Sequence, residues 1–306
     1  MLLNEEQIID WLKKKIKIKS KEIITKIGDD TAVLKWNKDF YFLLTNDIVI
    51  DGIHFEKEKI SPEKIGRKSL AVNISDIAAM GGIPFYALVS LGLPSAHANF
   101  VSGIYKGISK LAKEFNVDII GGNTSKSPTL FIDIFLTGKV EKNLLKLRSG
   151  AKPGDKIYIT GSLGGSIQGK HYNFQPRVKE ARQIIKKYPV SSMMDVSDGL
   201  SSDLTRLAKA SNAGFILYLD NIPVSKSAVK VSKTEKEAVF HALNDGEDYE
   251  ILFTIDKKYS RKVFKKTDSV PISLIGEITT EKKYIGIFKN QKIKITPEGF
   301  DHFKNI

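Results

Sequence analysis

The sequence predicts a mixed α/β (α+β) protein folded in two lobes. Helical and strand-like apolar periods alternate along most of the chain. A loop-rich stretch, Gly150-Ala151-Lys152-Pro153-Gly154-Asp155, interrupts that alternation near the middle. The length, 306 residues, suits two domains of roughly 150 each. The expected division is 1–140 and 141–306.

The elements follow in order. Asn4 is a helix N-cap with Gln7 three residues on and Ile8, Ile9 and Leu12 apolar behind it. A strand is expected from Tyr41 to Leu44, continuing to Ile50 past a polar interruption. Ser61-Pro62-Glu63 combines an N-cap, a first-turn proline and a first-turn acid, so a helix should run from there to Met80 and stop at Gly81-Gly82. A further helix covers about 100–115, leading into a buried strand at 117–120 and a turn at Gly121-Gly122. Leu130–Leu136 reads as a strand with Asp133 inside it. In the second half, strands are expected at 156–160, 215–219, 249–255 and 273–278, and helices at 177–187 and 201–210.

Composition removes several function classes. With no cysteine there are no disulfides, no Cys-ligated zinc or iron–sulfur cluster and no thiolate nucleophile. Apolar residues make up 42%, mean hydropathy is −0.17, and no apolar run approaches the roughly 18 residues of a membrane span. The opening residues lack the pattern of a secretory leader, so a cytoplasmic protein without a membrane partner is expected. Lys and Arg outnumber Asp and Glu by 48 to 35. The excess is scattered (Lys13-Lys14-Lys15, Lys186-Lys187, Lys282-Lys283) and does not interleave with aromatic residues. It suits an anionic small substrate better than a nucleic acid.

Two familiar motifs can be set aside. Gly164 to Lys170 has the spacing of a phosphate-binding P-loop, but His171 stands where a Mg²⁺-holding hydroxyl is required. The five histidines form no zinc-binding pair. What recurs instead is carboxylates beside glycine at element ends: Gly28-Asp29-Asp30, Thr45-Asn46-Asp47, Asp51-Gly52, Gly121-Gly122-Asn123, Asp195-Val196-Ser197-Asp198-Gly199 and Asp245-Gly246-Glu247-Asp248. Asp76 lies in an apolar stretch, on one helical stripe with Ser69, Asn73 and Met80. Each taken singly is most simply a turn. Together, hard oxygen ligands on several loops of a basic protein point to several Mg²⁺ ions and a heavily anionic ligand such as a nucleoside triphosphate.

The blocks IGDD (27–30), TND…DGIHF (45–55), GRKSLAVNISDIAAMGGIP (66–84), GGNTSKSP (121–128), RSGAKPGD (148–155), DVSDGLSSDL (195–204), GEDYEILFT (246–254) and GFDHF (299–303) occur in unbroken order. In this the chain resembles the thiamine-monophosphate kinases, within the larger group that includes aminoimidazole ribonucleotide synthetase. The resemblance implies that group's two-lobed fold and a homodimer through the N-terminal lobes. It also implies transfer of the γ-phosphoryl group of ATP to thiamine monophosphate, assisted by Mg²⁺. By matching position, Asp30, Thr45, Asn46, Asp47, Asp76, Asn123, Asp195 and Asp198 correspond to metal ligands, with Asp47 and Asp76 the most direct aids to transfer. Tyr105, Gly121, Gly122, Arg148 and Ser197 correspond to ATP contacts, and His54, Glu247 and Phe300 to contacts of the thiamine moiety. The acceptor is already a phosphate anion, so no general base is implied.

Three departures stand out. Asn123 replaces a usual Asp, Asn46 replaces a usual hydroxyl residue, and the stretch between Gly161 and Asp195 is short. The absence of cysteine disfavours the selenophosphate synthetase and hydrogenase-maturation relatives. Aminoimidazole ribonucleotide synthetase itself fits the GEDYE, GFDHF and DGIHF blocks less well. A basic nucleic-acid-binding protein is the rival from another class, separable by a salt titration against duplex DNA or RNA.

Overall fold

The structure is a computed structural model that describes residues 4–25, 27–263 and 266–303. Its elements in order are α1 (Glu5–Lys15), β1 (Ala32–Lys35), β2 (Phe40–Ile50), α2 (Pro62–Ala79), β3 (Ile83–Leu93), α3 (Ala98–Phe115), β4 (Asp118–Lys126) and β5 (Phe131–Glu141) in the first half. The second half contains β6 (Lys156–Thr160), α4 (Lys170–Asn173), α5 (Val178–Lys187), β7 (Val190–Asp195), α6 (Leu200–Ala210) and β8 (Gly214–Tyr218). It continues with α7 (Lys226–Val231), α8 (Glu235–Asn244), β9 (Ile251–Ile255), β10 (Ile272–Thr279), β11 (Tyr284–Phe288) and β12 (Gln291–Lys294).

Two sheets result. The first runs β1-β2-β5-β3-β4 and is antiparallel except for the β3–β4 pair. The second runs β12-β11-β8-β10-β6-β9-β7 and is antiparallel except for β11–β8. Helix starts follow local chemistry. Asn4 and Gln7 form a reciprocal capping box on α1, and Ser61 caps α2 ahead of Pro62.

Helix α2 is the element that positions the site. One flank packs on β2, β5 and α3, and the other meets α4, α5 and β7 of the second half. That is why it lacks a polar stripe: Ile65, Leu70, Ile74 and Ile77 are fully buried, and so are Lys68, Ser69, Asn73 and Ser75. Helix α3 approaches it through glycines. A Cβ on Gly107 would stand 1.9 Å from the Glu63 carbonyl oxygen, and one on Gly66 would stand 2.0 Å from that of Ile104.

The strand expected at 117–120 with a turn after it is corrected by the structure. Gly121 and Gly122 continue β4, which is an exposed edge strand with Ile120 61% accessible. The register shifts between Ala87 and Leu88, which face Ile119 and Gly121, so Ile120 is the extra residue of a bulge. Gly122 is required there because its φ is +150° and a Cβ would meet the Val89 carbonyl oxygen at 1.9 Å. Strand β3 was not among the expected elements, and Pro84 near its start is a residue that central strands seldom carry. The proline is accommodated at another register shift, between Pro84 and Tyr86.

Candidate active site

Strand β2 alternates its side chains across the sheet, and this sorts the TND motif. Thr45 and Asp47 face α2. The Thr45 hydroxyl donates to Asp76 Oδ2 at 2.5 Å, and the Asp47 amide donates to Asn73 Oδ1 at 3.1 Å. Asn73 and Asp76, which their spacing puts on one helical stripe, both meet this strand. Asp195, at the end of β7, accepts from Ser75 of the same helix. Asp30 enters from the loop before β1. One carboxylate oxygen from each of Asp30, Asp76 and Asp195 lies within 4.8 Å of the others.

Such a cluster is electrostatically costly by itself. Burial raises the carboxyls of Asp76 and Asp195 well above their usual range, and neighbouring carboxylates add to the effect. Burial likewise pushes Asp47 up to about 6, with the charges of Asp198, Asp133 and Asp30 adding to it. Arg148 supplies one compensating charge, donating from Nε and Nη2 to Asp30 Oδ1 at 3.1 and 2.6 Å. Asp30 Oδ2 is buried without any partner. Three converging carboxylates, a hydroxyl and an orphaned buried oxygen form the donor set that suits a hard divalent cation such as Mg²⁺.

Asp198 is near this centre but occupied, accepting from Arg206, which also holds the buried Asp203. Ser197 lies between Asp195 and Asp198, and its carbonyl accepts from the Glu247 amide. Asn46, by contrast, projects from the opposite face of β2 and donates to Asp133 at 2.8 Å. Asn123, Gly121 and Gly122 are exposed on β4, and Tyr105 is on α3. The structure does not bring the Asn46 side chain, Asn123, Tyr105 or the glycine pair to the carboxylate cluster of the same chain. Strand alternation explains Asn46; Gly121, Gly122 and Asn123 are on the edge strand, three positions across the sheet from β2, and Tyr105 is on the helix α3.

The thiamine-matching residues gather at a second point. Segment Asp245–Glu250 straps across the loop after β7, and Glu247 and Tyr249 both take left-handed backbone, with φ of 53° and 51°. A bulky residue in that region is unusual, so strand β9 begins at Ile251 instead of the expected 249. This conformation carries the Glu247 carboxylate to Lys68, 2.6 Å away. His171 Nδ1 is 2.6 Å from the other oxygen. Lys68 also donates to the His54 carbonyl oxygen at 2.8 Å.

The His54 ring accepts from the Ile50 amide at Nδ1, and burial, with the charges of His302 and Lys68, lowers its pKa to about 4. It is a neutral ring. His302 lies 5.1 Å from it and meets Phe300 edge to face at 4.8 Å. Phe300 is 42% exposed, so it is a presented ring and not a core residue. The close seat of this segment needs Gly299, whose Cβ would stand 1.9 Å from the Asp198 carbonyl oxygen.

Lys68, His171, His302 and Tyr249 received no role from the sequence. Lys68 had a signal, being the one charge between Arg67 and Asp76 in an apolar stretch.

The models of the N-terminal and C-terminal domains of AIR synthase related proteins match residues 28–140 and 152–289. The thiamine-monophosphate kinase of Buchnera aphidicola subsp. Schizaphis graminum is 36% identical over 99% of this chain and 100% of its own length. The chain belongs to the thiamine-monophosphate kinase family. A second family member, the thiamine-monophosphate kinase of Bacillus subtilis, is 34% identical over 91% of this chain and 93% of its own. Among solved structures of the family, the one described as "AaThiL complexed with AMPPCP and TMP" superposes with a TM-score of 0.84 at 30% identity. It covers 98% of this chain and 97% of that one. The two-lobed α/β architecture is thus that of the family.

Proposed function

We propose that this chain performs the reaction of its family, ATP-dependent phosphorylation of thiamine monophosphate to thiamine diphosphate, with Mg²⁺ held by Asp30, Asp76, Asp195, Asp47 and Thr45. The observation that carries the site assignment is the convergence of three carboxylates from three separate segments beside an unpartnered Asp30 oxygen. When bound, Mg²⁺ screens the charges of the donor and acceptor phosphates from each other. The residues do the rest. Arg148 and Ser197 border the cluster where a nucleotide phosphate would lie, while His54, Phe300 and Glu247 offer rings and a carboxylate to the thiamine moiety. No side chain is needed to remove a proton, because the acceptor oxygen is already anionic. Incubation with thiamine monophosphate, ATP and Mg²⁺ should give thiamine diphosphate by chromatography. Formation of aminoimidazole ribonucleotide from its own precursor instead would refute this reading.

The metal assignment predicts how stability depends on pH. Asp47 rises from 3.8 to about 6 on folding, so the metal-free folded state binds more protons than the unfolded chain between those values. Its contribution to stability is full below about 4 and lost as pH rises through about 6. Mg²⁺ binds the ionised cluster, so it should raise Tm more at pH 8 than at pH 5. A thermal melt series with and without Mg²⁺ checks this, and an equal shift at both pH values refutes it.

A homodimer is part of the proposal. The inner face of the first sheet is covered by α2 and α3, but the outer face presents Ile48, Tyr86 and Leu88, all more than a third exposed. Asn46 and Asn123 project from this same face. They lie on β2 and β4, three strand spacings apart, or about 14 Å. They are too far apart to share an ion within one chain. A two-fold pairing of outer faces would bring Asn123 of one copy toward Asn46 of the other. Asn123→Asp should then lower the Mg²⁺ concentration needed for half-maximal rate, since a carboxylate attracts the ion more strongly than an amide. A rate titration against free Mg²⁺ at saturating ATP decides, and no leftward shift means that Asn123 only shapes β4. We place the enzyme in the cytoplasm, where ATP is supplied; among the described residues no helix is long and apolar enough to cross a membrane.

A further inference from the structure

Lys68 is fully buried in the middle of α2, and a buried ammonium group is costly unless it is paired with an opposite charge and hydrogen-bonded. Here it is bound on both sides of the molecule. Within the first lobe it donates to the His54 carbonyl oxygen, and across the lobe junction it donates to Glu247 Oε1, with His171 Nδ1 3.2 Å away. His171 is 2.6 Å from the second Glu247 oxygen. An ionised carboxylate only accepts, so that contact places the His171 proton on Nδ1, and Lys68 is held by two acceptors, the His54 carbonyl oxygen and Glu247 Oε1. Both oxygens are thereby engaged from the inside, while about a quarter of the Glu247 side chain remains open to solvent. The His54 ring is near enough to feel the Glu247 charge, and His302 and Phe300 adjoin that ring in turn.

We infer that Lys68 is a positioning residue for substrate recognition: it fixes the Glu247 carboxylate as a pure hydrogen-bond acceptor for the exocyclic amino group of the thiamine pyrimidine ring. This rests on the assignment of Glu247 to the thiamine moiety. A carboxylate so held rewards a ring that carries an amino donor and rejects one that presents an oxo group in its place. The same helix carries Asp76 eight residues on, about 12 Å along its axis. Thus one rigid element sets both the ring-binding point and the phosphate-binding point, and a long, narrow substrate with a phosphate at its far end spans the two.

The test is a double-mutant cycle on the full-length protein, read as separate KM values for thiamine monophosphate and ATP. Glu247→Gln and Lys68→Met should each raise KM for thiamine monophosphate by about tenfold or more, leaving KM for ATP unchanged. The pair together should cost little more than either alone, because Lys68 acts through Glu247. Selectivity for thiamine monophosphate over its 4-oxo analogue should collapse in both. If Glu247→Gln leaves KM for thiamine monophosphate unchanged, the assignment of Glu247 fails and this inference with it. If only Glu247→Gln raises it, or if Lys68→Met moves both KM values together, Lys68 is merely structural.

Should Lys68→Met not fold, Lys68→Cys offers a second route. The chain has no other cysteine, so alkylation in denaturant with 2-bromoethylamine, followed by refolding, rebuilds an ammonium side chain at that position alone. Recovery of the low KM and of amino-over-oxo selectivity by the aminoethylated protein, but not by a carbamidomethylated control, supports the inference. Equal behaviour of the two overturns it.

Discussion

Asp76→Asn should cut turnover by about a hundredfold or more while leaving the protein normally folded. The substitution conserves volume, and the amide oxygen can still accept from the Thr45 hydroxyl that now bonds Asp76 at 2.5 Å. What disappears is one negative charge among Asp30, Asp76 and Asp195, whose oxygens converge within 4.8 Å. In the metal-free protein those charges repel one another, so the variant should melt no lower than the parent in the presence of a chelator. Asp47→Asn should behave alike. Initial rates at several Mg²⁺ concentrations and a melting curve in EDTA provide the check. If Asp76 were only a structural cap, activity would survive and Tm would fall. Full activity at millimolar Mg²⁺ would refute the metal role.

Gly107→Val should have the largest effect on stability. Its Cβ alone would stand 1.9 Å from the Glu63 carbonyl oxygen and 2.9 Å from the Arg67 nitrogen, both backbone atoms of α2. No rotamer relieves a clash with a backbone, so α3 must move away and open the core around Ile104, Ile108 and Leu111, all essentially buried. A loss of about 3 kcal/mol or more is expected, which for a protein of this size lowers Tm by about 5 °C or more. Urea or thermal unfolding measures it; a shift below a degree would mean that the helices are not packed as closely as described.

Much of the fold was legible because its signals are local. The caps of α1 and α2, the boundaries of β6 and the helical spacing of Asn73 and Asp76 depend on neighbouring residues only. Strand β3 was missed and β4 was given too short a span, because their environment is set by distant pairing. Pro84 is tolerated by a bulge, and the glycine pair at 121–122 answers to Val89 across the sheet instead of to a turn. The site followed the same division. Asp30, Asp47, Asp76 and Asp195 sit in turn-like or helical motifs visible one at a time, though only the fold shows that three converge. The parity of β2 decides that Thr45 and Asp47 face the helix while Asn46 faces away. Lys68 and His171 escaped because their meaning lies in a partner 179 and 76 residues distant, Glu247.

The placement of α2 has a kinematic consequence. One continuous apolar cluster holds Ile74 and Leu136 of the first lobe together with Ile184, Met193 and Phe253 of the second. Opening the molecule like a jaw would tear that cluster along the whole helix, exposing apolar surface at about 25 cal/mol per Å². The two halves therefore act as a single rigid frame. Ligand traffic is left to the parts that lie outside the frame: the segment at 299–303 that rests on Asp198, and helix α1, none of whose side chains is buried. Admission and release in this molecule belong to its edges.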